Sequence, residues 1–326
     1  MTIALRLRSF FSSSILEIIL VLLCAVLSFT APGFLTADNL LNVLRNVSMQ
    51  GVIAFGMTMV IISGEIDLSV GSAVAFAGCL TAFLTQKLST EWASLPLSFA
   101  IAVSIILALT VGFVIGTFTG FMRNRYQVPS FITTLALMTG LSGVAELITN
   151  GFPLTPFPAW YNFIGGGYLL GIPFPALLFL LTFAVLQLLM NYTSFGRTVY
   201  AVGGNAEAAR LSGINVGRVK TMVFGITSFL AALSGVMVSS EIMSGTATTA
   251  KGWELDVIAA VIIGGTSFLG GVGRIWGTMI GVVFLGVMMN GMTLLNVSEY
   301  WQHVVRGAII LVAVLLNLLQ KDQGGK

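Results

Sequence analysis

Charge is scarce in this chain: 326 residues carry 15 lysines and arginines, 12 aspartates and glutamates and one histidine. That is 8% charged, against about a quarter in ordinary soluble domains, which excludes a soluble globular protein. The two cysteines, Cys24 and Cys79, both lie in apolar runs, so neither a disulfide framework nor zinc-ligand spacing is present. The lone His303 follows Glu299, Tyr300 and Trp301 at the start of the last apolar run. An interfacial aromatic belt is expected there, with a proton relay as the alternative. Lys87, Lys220, Lys251, Lys321 and Lys326 all lack the G-x-x-x-x-G-K-[ST] frame, which excludes a P-loop nucleotide site. No nucleophile, base or metal-ligand cluster converges, so the chain is read as a non-enzyme without metal or cofactor. Its basic residues fall in scattered short loops, which argues against nucleic acid.

Apolar sequence fills the rest. Hydrophobic residues make up 56% of the chain and mean hydropathy is +0.99. About 20 apolar residues span a bilayer as a helix. The charge-poor stretches 15–31, 40–62, 72–86, 97–121, 131–149, 171–191, 219–240, 254–267, 276–295 and 300–319 supply candidates. Period-two alternation is missing, which excludes a lipid-facing barrel. The expected fold is all-α: one polytopic transmembrane domain over 1–326, about ten helices, some interrupted, with a possible internal repeat. With the N-terminus inside, cytoplasmic segments receive Arg6, Arg8, Arg123, Arg125, Arg197, Arg210, Arg218, Lys220, Arg274, Lys321 and Lys326. These are eleven of the 15 basic residues. That asymmetry predicts a multi-pass inner-membrane protein with both termini and the loop at about 193–218 in the cytoplasm. The run after Arg6 and Arg8 reads as an uncleaved first helix, since many spans follow it.

Within that loop, Gly203-Gly-Asn-Ala-Glu-Ala-Ala-Arg-Leu-Ser-Gly213 carries its own start and stop signals. Asn205 can cap the first turn, Glu207 suits the positive end of the helix dipole, Arg210 the negative end, and Gly213 the left-handed stop. A helix this short is marginal in water, so it needs a surface, either its own membrane body or a partner. Ala208 and Leu211 belong to the same segment.

Two apolar runs are broken by glycine. One reads Val60-Ile-Ile-Ser63-Gly64-Glu65-Ile66-Asp67-Leu68-Ser69-Val70-Gly71-Ser72, the other Val261-Ile-Ile-Gly264-Gly265-Thr266-Ser267-Phe268-Leu269-Gly270-Gly271. Paired interruptions in the halves of a transporter point to the translocation path, because the freed backbone must face protein or water. A carboxylate deep in the bilayer costs about 3 kcal/mol. The preferred reading of Glu65 and Asp67 is therefore a hairpin, with Gly64 ending one helix and Asp67 capping the next, both acids at a membrane edge. Direct contact with solute is the alternative. Glu146 lies near the outer end of its run and can reach water. The run Gly270 to Gly277 has the wrong spacing for a dinucleotide fingerprint and is read as close helix packing or a sharp turn.

Three segments, taken together and in order, are similar to the permease subunits of ribose-type bacterial ABC sugar importers. They are Gly56-Met-Thr58 with Ser63 to Ser72, Phe195-Gly-Arg197 with Ala201 to Asn205 and Ser212 to Asn215, and Asp256 to Ala260 with Gly264 to Ser267. The likeness covers nearly the whole chain. Glu65 departs from it, since the commoner pattern has glycine or another residue before Ile-Asp-Leu-Ser. The resemblance implies a second permease copy or paralogue, two cytoplasmic ATPase subunits carrying ATP and magnesium, and a periplasmic sugar-binding protein. Carried onto this chain, Asn205 to Gly213 resembles the coupling helix that meets the ATPase. The alternatives are a branched-chain amino-acid ABC permease and an ion-coupled secondary transporter using Glu65, Asp67 or Glu146. Which of Ser63, Ser69, Thr266, Ser267, Glu241 or Trp253 lines the passage is not legible.

Overall fold

A computed structural model describes residues 15–324. The order is α1 (Ile15–Thr30), α2 (Ala37–Ile62), α3 (Val70–Gln86), α4 (Leu97–Arg125), α5 (Ser130–Thr149), α6 (Phe163–Gly166), α7 (Phe174–Tyr192), α8 (Ser194–Gly204), α9 (Ala206–Leu211), α10 (Val216–Glu241), α11 (Trp253–Ile263), α12 (Ile275–Leu294) and α13 (Glu299–Gly324). The described sheet is one two-residue hairpin, β1 (Tyr168–Leu169) and β2 (Ile172–Pro173), ahead of α7. Local chemistry sets the ends. Pro96, Pro129 and Pro173 stand directly before α4, α5 and α7, where a missing N–H costs nothing. Thr36, Thr193 and Asn215 cap α2, α8 and α10 by accepting backbone N–H groups two or three residues on.

Six helices, α2, α4, α5, α7, α10 and α12, are long and apolar enough to cross a membrane among the described residues. The chain is thus a multi-pass helical protein, and the shorter helices have a structural reason. Both α3 and α11 follow a long helix through a non-helical re-entry: residues 63–69 after α2 and 242–252 after α10.

The buried centre is α2 against α10, each 26 residues. They run antiparallel: Arg45 near the start of α2 faces Glu241 at the end of α10, while Lys220 near the start of α10 meets Glu65 just past α2. Residues 52–62 of α2 are almost completely buried. Around this pair, α4, α5 and α7 bury a third or less of their apolar stretch and leave the rest for lipid. The tightest neighbour, α4, presents Gly112, Gly116 and Gly120 to α10, where a Cβ would collide with Ala232, Phe224 and Thr221. Small residues every fourth position let helices approach closely where lipid tails supply no hydrophobic drive.

The connections after α2 and after α10 lie at opposite ends of the antiparallel pair. The two segments that sequence reading set side by side are the glycine breaks 63–72 and 261–271. Those two segments are spatial neighbours at one end of the bundle, joined by Gly271 N–H donating to Ile62 O at 2.8 Å.

Candidate functional site

The capped segment forms as its residues require. Asn205 accepts from Ala208 N at 2.9 Å, Glu207 and Arg210 occupy the first and last turns of α9, and Gly213 has φ +85°. Arg210 donates to both Glu207 oxygens, at 3.0 and 2.6 Å. The hydrogen bonds and charge of Arg210 hold the Glu207 carboxyl below its ordinary range, and the Arg210 pKa rises in return. Ala209 alone is buried in α9; Ala208 is exposed and Leu211 is 75% exposed. The element that sequence reading missed is α8, eleven residues that attach α9 to the bundle through buried Val199 and Val202.

That attachment is made of glycine. A side chain on Gly203 would overlap Ile62 O and Gly271 N, one on Gly270 would meet Gly203 O and Gly64 Cα at 2.9 and 3.1 Å, and one on Gly271 would meet Gly204 Cα at 2.8 Å. Backbone therefore lies on backbone among α8, the end of α2 and the loop after α11. Tyr200 adds a hydrogen bond to Gly273 O at 2.9 Å. Gly64 and Gly265 have φ +77° and +87°, the left-handed stop expected of each. Each is followed by the same cap: Glu65 N donates to Val60 O at 3.1 Å, Thr266 N to Val261 O at 3.2 Å. The Gly270 to Gly277 run provides both a turn, at Gly270 and Gly271, and close packing of Gly277 on Gly264.

Neither acid is open to solvent. Glu65 and Asp67 are 7% and 0% exposed, because the extended 63–69 segment carries them into the protein. Glu65 accepts from Arg123 Nε at 2.8 Å and from Lys220. Burial pushes its carboxyl up, but hydrogen bonds from Lys220, Ser130 and Arg123 outweigh burial and hold it below the ordinary value. Nor is Asp67 the helix cap. The cap of α3 is Ser69, with no side-chain capping bond, and Asp67 Oδ1 instead accepts from Ser69 N at 2.8 Å and Ser69 Oγ at 2.6 Å. An Asx turn thus holds the re-entry in shape. Ser63 Oγ returns to Val60 O at 2.8 Å, and Ser267 N donates to Val272 O at 2.8 Å. Gly71 lets α3 start directly against Ala250 O and Glu254 of the second re-entry. Glu146 is exposed on α5, and His303 is exposed 3.9 Å from Glu299. No metal-binding group of three or more His, Cys, Asp or Glu occurs among the described residues.

At the opposite end, a cavity of about 380 Å³ opens between α2, α10, α11, α12 and α13. Asn46 and Gln50 enter it from α2, Trp253 and Asp256 from α11, Asn290 from α12 and Arg306 from α13. Sequence reading named Glu241 and Trp253 here and missed the other five. The signal for Asn46 and Gln50 was amide residues four apart within an apolar run.

Together these features define a multi-pass helical membrane protein whose exposed, capped helix is held through α8 against the end of α2 and the loop after α11. The chain belongs to the family described as branched-chain amino acid transport system / permease component, whose model matches residues 39–314. It is 43% identical to ribose import permease protein RbsC of Bacillus subtilis (strain 168), covering 91% of this chain and 90% of that one. It is 37% identical to L-arabinose ABC transporter permease protein AraH of Azospirillum brasilense (95% and 88% covered). Identity is 33% to xylose transport system permease protein XylH of Haemophilus influenzae (94% and 96% covered). No solved structure matches the chain.

Proposed function

We propose that this chain is the transmembrane subunit of an ATP-binding-cassette importer that moves a monosaccharide across the bacterial inner membrane. The observation that carries this reading is α9: a capped, exposed helix joined directly to α8, whose terminal glycines pack on the end of α2 and on the loop after α11. The named relatives, sugar permeases over nearly their whole length, support the solute class. On this reading the Glu65 end faces the cytoplasm and the Glu241 end the periplasm. The six long helices are supplemented by α1, α3, α11 and α13 to give ten membrane elements. ATP and magnesium belong to a partner ATPase, a binding protein delivers sugar from outside, and a second permease copy or paralogue completes the pore.

The mechanism follows from the glycine bed. ATPase closure displaces α9, and α8 passes the displacement to Ile62 and Gly271 through backbone contacts that have no rotamers to absorb it. For this to switch the bundle, the ATPase must bind its two conformations with different free energies. The test replaces Leu211 by Asp and exchanges Glu207 with Arg210. The exchange preserves the internal ion pair while inverting the charges offered to a partner. Both variants should insert normally and lose at least about ten-fold in uptake and in binding-protein-stimulated ATP hydrolysis, the effect of removing an interface anchor. Wild-type coupled transport in both would reject the docking role.

A further inference from the structure

We propose that the cavity at the Glu241 end is a recognition site of the permease itself, holding a neutral, polyhydroxylated solute of monosaccharide size. The proposal rests on the importer reading above and adds to it a place where this chain selects. The volume, about 380 Å³, falls in the range of small-molecule sites, about 300–1,000 Å³.

The lining has hydrogen-bonding capacity left over. Neither Asn46 nor Gln50 makes a side-chain hydrogen bond to any described residue, and each amide offers two donors and an acceptor. One face of α2 carries both, together with Val43 and Val47, the i, i+3, i+4, i+7 stripe of a helix. Arg306 Nη2 has only Met289 Sδ, at 3.8 Å, a weak acceptor. Its Nε lies 2.9 Å from Asp256 Oδ1, yet that buried oxygen receives no aligned hydrogen bond. Asn290 is different, being locked in a reciprocal amide pair with Asn39 at 2.7 and 3.0 Å, which fixes the wall. Polar side chains inside a membrane bundle mark a solute path when they lack partners of their own.

Charge identifies the solute class. Each acid at the cavity faces its own guanidinium: Asp256 with Arg306, and Glu241 with Arg45 at 3.8 Å. The site is therefore neutral, and a charged solute would have to break a pair to gain one. A sugar needs no such exchange: its hydroxyls suit Asn46, Gln50, Arg306 and Asp256, and its C–H face suits the Trp253 ring and Val47.

The test uses the permease reconstituted with its ATPase and binding protein, with labelled D-ribose, L-arabinose, D-xylose and L-leucine as probes. Sugar moved per ATP hydrolysed is the readout. Asn46→Leu with Gln50→Leu should lower it about ten-fold, the worth of one to two hydrogen bonds. Asn46→Gln with Gln50→Asn should retain most of it and reorder the three sugars. An unchanged ratio in the leucine variant overturns the site while leaving the importer reading intact. Wild-type protein that moves leucine, or none of the sugars, overturns both before any substitution is made. A second measurement covers a variant that misfolds. In a Cys24→Ser background, with Cys79 fully buried, Gln50→Cys should react with a hydrophilic maleimide and be protected by saturating transported sugar. Labelling indifferent to sugar overturns the site.

Discussion

At one end of the α2–α10 pair, the Glu65 side chain is 5% exposed and meets both Arg123 and Lys220; at the other, the Glu241 side chain is 29% exposed and faces Arg45 at 3.8 Å. The same ion-pair chemistry therefore serves two purposes. Near Glu65 lie a glycine bed, an Asx turn and two helix stops. Around Glu241 there is a cavity with amides to spare. On the proposed reading, the end that would receive mechanical input is closely packed, and the end that would receive solute is open. The two cations of Glu65 tie the first re-entry to both α4 and α10.

Breaking the solid end should cost most. Glu65→Gln leaves Lys220, 12% exposed, as a buried cation without a counter-charge. The expected loss is about 3–5 kcal/mol, read as a lower thermal midpoint of the purified permease, with Lys220→Met in the same chain recovering much of it. The sign of the pH dependence follows from the lowered Glu65 pKa. Its contribution is complete above the unfolded carboxylate value, about 4.3, and disappears as pH falls through the lower folded value. Midpoints of wild type and Glu65→Gln should converge on the acid side only; convergence on the alkaline side would reject the assignment.

Gly203→Val ranks next. It drives a side chain into Ile62 O at about 1–3 kcal/mol of overpacking, and uptake should fall further than stability does, because the bed itself is deformed. Equal losses of both would make the contact merely structural. Asp67 should come third. Asp67→Asn keeps the acceptor for Ser69 and should stay within about 1 kcal/mol of wild type, while Asp67→Ala forfeits two hydrogen bonds at about 1 kcal/mol each. Equal damage from both would favour a charged role over the turn. Smallest is Glu241→Gln, a half-exposed pair worth about 0–1 kcal/mol. A loss as large as that of Glu65→Gln would erase the contrast between the ends.

Signals confined to a few neighbours were legible. The Asn205 cap, the Gly213 stop and the glycine breaks at 64 and 265 each depend on residues within one turn, and each formed as read. The partners of Glu65 were not legible, because Arg123 and Lys220 lie 58 and 155 positions away and nothing local announces them. A local rule misled at Asp67: an acid before a helix reads as a cap, but the re-entry ends two residues later, at Ser69. The two glycine breaks were legible because Val-Ile-Ile followed by glycine marks a helix stop; that both stops share one end was not. The cavity stayed hidden because Asn46, Gln50, Asn290 and Arg306 come from three helices and converge only after folding.

The antiparallel α2–α10 pair is tied at both extremities, by Glu65 with Lys220 and by Arg45 with Glu241. The Glu65 tie is the firm one, and the Glu241 tie adds little, so what resists lengthwise shear is the buried packing between the ties. On the importer reading proposed above, the pair then pivots as one beam about 39 Å long, at 1.5 Å per residue. On that proposal, a lever of this kind converts a small sideways displacement at the glycine bed into an opposite displacement at the cavity, and the two ends move as parts of a single beam.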